Sequence, residues 1–209
     1  MHRESPGRAN LWYGREVARR LNDLNILIDV SQCSEQVGRD ARQVSTSPVI
    51  DSHSASKAVC FHDRAKTDDF ARAVAERGGY FGVVIVPGFV RDTPGATIQD
   101  FVRHMEHLVD VCGIDRVGVG TDKAGPGPST GSLIEYPSSI PASVRGDFDW
   151  VGFRNPEHRL TDDYRLSGYD NFGDWPTITV ALAAAGFDEH ALRKLVSRDF
   201  LRVFRVVVG

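Results

Sequence analysis

Four short, β-rich apolar runs alternate with helix-compatible stretches between residues 14 and 122, and this alternation limits the folds open to the chain. The runs are Ile26-Leu27-Ile28-Asp29-Val30, Val49-Ile50-Asp51-Ser52, Phe81 to Val86 and Arg116 to Gly120. Each is apolar on both faces, the pattern of strands covered on both sides in a parallel sheet. Parallel neighbours need crossovers, and the intervening stretches read as helices. Gly14 to Leu24 places Val17, Leu21 and Leu24 on one stripe. Ser34 is placed to cap a second helix bearing Val37, Ala41 and Val44. A third opens at Thr67, carries Phe70, Ala71 and Val74, and closes at Gly78-Gly79. Thr97 with Asp100 forms a capping-box pattern ahead of Phe101, Val102, Met105, Leu108, Val109 and Cys112, and Gly113 ends that helix. The expectation is one α/β domain over residues 1–209.

Beyond Asp122 the pattern is lost. Residues 124–174 are rich in Gly, Pro, Ser and Asp, a long irregular insertion whose aromatic residues imply that part of it packs down. Helices resume at Trp175 to Ala185, Asp188 to Val196 and from Arg198 onward. The net charge of -3 and the lack of a Lys/Arg cluster argue against nucleic acid. No apolar run is long enough to span a membrane, and the first ten residues lack a signal-like apolar core, so a cytoplasmic setting is expected. Cys33, Cys60 and Cys112 are odd in number and widely spaced, as for buried thiols in a reducing compartment.

A strand that ends on an imidazole stands out in such a pattern, because α/β barrels keep their chemistry at the carboxyl ends of their strands. His53 is that imidazole, and Asp122 ends the fourth run. By alternation Asp51 shares a strand face with His53, where it could orient the ring; a twist or bulge would turn it away. His104 and His107 have metal-like spacing but flank Met105 and Leu108, so a solvated pair is expected. Gly118-x-Gly120 does not open a helix and is no dinucleotide fingerprint.

Several stretches, in order, carry a family likeness: Leu27-Ile28-Asp29-Val30-Ser31-Gln32-Cys33-Ser34, Pro48-Val49-Ile50-Asp51-Ser52-His53-Ser54, Val59-Cys60 followed by Arg64, Glu76-Arg77-Gly78-Gly79, Gly113 through Asp122, and Phe200-Leu201-Arg202-Val203-Phe204. Together they resemble the membrane (renal) dipeptidase family of zinc metallopeptidases, over the carboxyl-terminal half of its catalytic domain. The resemblance implies a partial (β/α)8 barrel, its last four strand–helix units plus carboxyl-terminal helices, from an enzyme that hydrolyses dipeptides with two zinc ions. The family's His-x-Asp metal pair and bridging Glu belong to the amino-terminal half, which this chain is expected to lack.

On the resemblance, His53 and Asp122 are metal ligands, and Asp122 also orients the attacking water. Arg64 grips the substrate carboxylate, as a guanidinium can do in two-pronged fashion. Gln32 stands where the family has a second His and is a weak zinc ligand. Ala124, after Lys123, stands where the family usually has another Asp. The expected function is therefore a metallodipeptidase, truncated and with an impaired metal site. The alternative is a non-catalytic remnant acting as a binding or interaction protein on a half-barrel scaffold. Four parallel strands leave two edges, so self-association or a complementary amino-terminal half is the expected partner, with a dipeptide as substrate.

Overall fold

The structure, a computed structural model, describes residues 7–122, 166–169 and 172–209. The expected insertion therefore lies mostly outside the described residues. The elements in order are α1 (Gly7–Asp23), β1 (Ile28–Asp29), α2 (Glu35–Val44), β2 (Val49–Ser54), α3 (Asp68–Glu76), β3 (Tyr80–Val83), α4 (Pro87–Val90), α5 (Ile98–Cys112) and β4 (Val117–Val119). Then come α6 (Trp175–Ala184), α7 (Glu189–Arg193), a π-helical turn (Lys194–Arg198) and α8 (Asp199–Val207). The four strands form one parallel sheet in the order β1-β2-β3-β4. Sequential order with helical crossovers is the arrangement of successive barrel units.

Local chemistry starts and stops the helices where the sequence signals it. The Ser34 and Thr67 side chains accept from the Val37 and Phe70 amides. Thr97 and Asp100 form the reciprocal capping box of α5. Pro87 does not merely end the third strand but opens the short helix α4, because proline suits a first helical turn.

Helices cover one face of the sheet. Ile28, Val30 and Val49 pack with Ala18 of α1 and with Phe70 and Val74 of α3. Phe81, Val83 and Val117 pack with Phe101, Met105 and Leu108 of α5, in a cluster that also buries Leu166 and Tyr169. Each Val, Leu, Ile, Phe or Met among them contributes about 1.5–3 kcal/mol on burial. On the other face, Ile50 and Tyr80 meet Val203 and Val207 of α8. Arg202 anchors α8 beneath the strands, donating to the Gly78, Gly79 and Asp115 carbonyls at 2.7, 2.8 and 3.0 Å.

Two helix phases differ from the sequence expectation. Ala18 of α1 is buried while Val17 and the following Leu24 are exposed, and Val37 of α2 is exposed. The phase of α2 follows from Gly38, where a Cβ would lie 2.6 Å from the Phe70 ring. The glycine lets α2 seat directly on that ring, which turns Val37 outward.

Candidate active site at the carboxyl ends of the strands

His53 lies near the end of β2, where the strand is irregular. Its pairing with β3 runs Ile50↔Tyr80 and Asp51↔Phe81, then resumes at Ser54↔Val83. Three steps on β2 thus match two on β3, the signature of a bulge with one extra residue. The bulge brings the Ser52 carbonyl into the space where a side chain on β3 or after β4 would stand. A Cβ on Gly82 or Gly120 would lie 1.9 or 1.8 Å from the Ser52 oxygen. These glycines therefore admit the bulge, which is the physical role of the Gly118-x-Gly120 pattern's second member.

The bulge separates Asp51 from His53. Asp51 is fully buried, with the Ser54 hydroxyl and Lys66 beside its carboxylate. Burial pushes its carboxyl up to about 6, against the pull of nearby Lys66. Asp51 does not orient the imidazole; of the two arrangements the sequence leaves open, the bulge, not regular alternation, is the one present.

Asp29 and Ser52 take that place instead. The Asp29 Oδ1 accepts the Ser31 and Ser52 amides at 3.0 and 3.1 Å. Its Oδ2 accepts the Ser52 hydroxyl at 2.5 Å, and Ser52 Oγ stands 2.7 Å from His53 Nδ1. Burial raises the Asp29 carboxyl, but these hydrogen bonds outweigh it and hold the group below the usual carboxylate range. Neither Asp29 nor Ser52 was singled out from sequence, although a carboxylate inside an apolar strand is the signal that could have found them.

The other ring nitrogen faces the rim. His53 Nε2 lies 2.7 Å from the Gln32 amide nitrogen, 3.4 Å from Ser31 Oγ and 3.7 Å from Asp122 Oδ1. Asp122 follows β4 with φ +53°, a left-handed conformation that Asp tolerates better than most residues. Burial raises its carboxyl, while His53 and Arg64 pull it down.

Arg64 comes from the loop after β2. Its guanidinium donates to the Ser31 carbonyl at 2.7 Å and lies over the Phe89 ring, 5.6 Å from its centroid. The Arg64 amide donates to His62 Nδ1 at 2.9 Å, and the His62 ring packs on Phe89 at 4.7 Å. His62 and Phe89 thus set the Arg64 position, a role not visible in the sequence because it depends on α4. The structure therefore brings His53, Asp122, Gln32 and Arg64 to one end of the sheet. Lys123 and Ala124 lie outside the described residues.

The second histidine pair is elsewhere and is not solvated as expected. His104 is buried, accepting the Ser56 amide at Nδ1 (3.0 Å) and donating from Nε2 to the Val90 carbonyl (3.1 Å). Burial lowers its pKa to about 4. His107 Nε2 lies 2.9 Å from Asp68 Oδ1. His104 is a structural tie between α5, the end of β2 and α4.

The sequence model of the membrane dipeptidases (peptidase family M19) matches residues 11–138, more than half of the chain. The chain belongs to the membrane dipeptidase family. An uncharacterized protein in the pqqA 5' region of Klebsiella pneumoniae is 30% identical over 201 residues, 93% of this chain and 59% of that protein. A Pseudomonas aeruginosa amidohydrolase has a similar structure, with TM-score 0.73, 24% identity, and coverage of 94% of this chain and 57% of that one. A Rhodobacter sphaeroides metallo peptidase, liganded with a phosphinate mimic of the dipeptide L-Ala-D-Ala, gives TM-score 0.70 at 22% identity, covering 93% of this chain and 46% of that one. This membrane dipeptidase chain thus spans about half to three fifths of the length of these relatives. Its four-stranded parallel sheet is part of a TIM-type barrel.

Membrane dipeptidases are metallopeptidases, and the site can be tested against zinc. Zinc takes three or four Cys, His or carboxylate donors from a protein. Among the described residues no group of three or more such side chains is gathered in one place. His53 and Asp122 are two, and the nearest further group is the Gln32 amide, whose nitrogen lies 2.7 Å from His53 Nε2. The described residues alone therefore do not fit a zinc ion. Among them, no helix is long and apolar enough to cross a membrane.

Proposed function

We propose that this chain contributes the carboxyl-terminal half of a metallodipeptidase-type site for the hydrolysis of dipeptides. His53 and Asp122 are its metal-facing groups, Asp122 its catalytic carboxylate, and Arg64 the clamp for the peptide carboxylate. The observation that carries this reading is the approach of His53 Nε2 to Asp122 Oδ1, 3.7 Å, from the ends of two different strands. Arg64 fits the clamp role because the Phe89 ring and the Ser31 carbonyl hold its guanidinium at the same rim.

Turnover on this reading requires further strong donors from outside the described residues, from a longer polypeptide or a complementary one. The test is dipeptide hydrolysis with added zinc in the presence of a polypeptide that supplies those donors, comparing the chain with His53→Ala. A rate lost in His53→Ala supports the assignment; equal rates remove His53 from any catalytic role.

A second reading is favoured by Gln32, whose amide seals the imidazole at 2.7 Å. On it, the chain is a non-catalytic binding protein on a half-barrel scaffold. Less than about one tightly held zinc per chain and no hydrolysis, even with a polypeptide that supplies the further donors, selects this reading, since zinc needs several strong ligands.

A further inference from the structure

The carboxylate of Asp29, the hydroxyl of Ser52 and the imidazole of His53 form a continuous chain with contacts of 2.5 and 2.7 Å. Only one arrangement of protons satisfies both contacts. An ionised carboxylate only accepts, so the single hydroxyl proton of Ser52 points to Asp29. The 2.7 Å contact to the ring must then be donated by His53 Nδ1 into a hydroxyl lone pair. In the neutral imidazole the other nitrogen carries no proton. His53 Nε2 is accordingly an acceptor, and it faces the donor N–H of Gln32 at 2.7 Å. The three contacts agree on one tautomer.

The same protons exclude a Ser52 nucleophile. In hydrolytic triads the imidazole stands between serine and carboxylate and takes the serine proton. Here serine stands in the middle and its proton is committed to Asp29.

We propose that Asp29 and Ser52 are positioning residues that hold His53 as the Nδ1–H tautomer, with the Nε2 lone pair turned to the rim of the site. The inference rests on the dipeptidase reading for its use there, since a rim-facing lone pair is what a metal-facing imidazole needs. Asp29 has two separable tasks. Its Oδ1 ties the backbone of Ser31 and Ser52, and its Oδ2 sets the direction of the Ser52 hydroxyl.

Asp29→Asn separates them. The amide oxygen keeps the backbone contacts, while the amide nitrogen donates to Ser52 Oγ. Of the two groups left to the hydroxyl, His53 Nδ1 at 2.7 Å is nearer than Ser31 Oγ at 3.4 Å, so its proton is expected to turn to the ring and leave the ring proton on Nε2. The experiment is nitrogen NMR of the whole 209-residue chain with labelled histidine, at alkaline pH where histidine rings carry one proton. The His53 signals are assigned by their loss in His53→Gln. The expected result is a predominantly Nδ1–H ring in the unaltered chain and a predominantly Nε2–H ring in Asp29→Asn. Ser52→Ala is expected to lose the fixed preference, and Ser52→Thr, which keeps the hydroxyl, to retain it. A purely structural role for Asp29 would not invert the tautomer. An unaltered chain protonated on Nε2, or an Asp29→Asn ring still protonated on Nδ1, overturns the proposal. Absence of dipeptide hydrolysis even with the complementary donors supplied, the expected tautomers being present, would instead reject the dipeptidase reading and leave this one standing.

Discussion

Gln32 is the residue on which the chemistry of the rim turns. Its amide nitrogen stands 2.7 Å from His53 Nε2, with Asp122 Oδ1 on the same nitrogen at 3.7 Å. An imidazole at this position would add a third strong donor beside two existing ones. Gln32→His is therefore expected to bind zinc at least ~10-fold more tightly than the unaltered chain, measured by titration calorimetry with removal by chelator. No gain would mean that His53 and Asp122 do not face a common ion. At this scale the sequence was informative about which side chains reach the rim, because His53 and Asp122 each end an apolar run. It was silent on how they are held. The Asp29–Ser52 pair and the His62–Phe89 support for Arg64 depend on contacts between loops and strands that no local pattern encodes.

At the scale of elements, β2 is the strand whose shape the site depends on. Its bulge requires side-chain-free positions across from Ser52, at Gly82 and Gly120. Gly120→Ala would place a methyl group 1.8 Å from the Ser52 oxygen and is expected to lower stability by about 3 kcal/mol in urea unfolding. Gly14→Ala is the control of opposite sign. It sits in α1 with open space around it, where replacing a helical glycine gains about 0.5–1 kcal/mol. Equal effects from the two would show that Gly120 is not needed for the bulge. The four strands were legible because being apolar on both faces is a local property. The bulge was not: a period of two places Asp51 on the His53 face and a bulge turns it away, and only the register of β2 against β3 decides between them. Helix phase was misread for a related reason: Val17 and Val37 look like core residues, but the approach of Phe70 to Gly38 decides which face of α2 turns inward.

For the molecule as a whole, the sheet is open at both sides among the described residues, with β1 and β4 at its edges. Near β1, Leu24, Ile26 and Val37 are exposed, and on α8 so are Phe200, Phe204 and Val206. Open parallel edges flanked by apolar side chains favour association. The 209-residue chain is expected to form oligomers, or to need a partner to remain soluble, as read by light scattering over a concentration series. A stable monodisperse monomer would count against this. The Arg202 anchor has a consequence for how the molecule is assembled during synthesis. It joins Gly78 to a residue 124 positions later, and the same side chain reaches Asp115. Contacts so distant in sequence form late and slow folding. The starts of β3 and β4 must therefore leave the ribosome without their lower clasp, and the nascent sheet is locked only after its final helix has been translated.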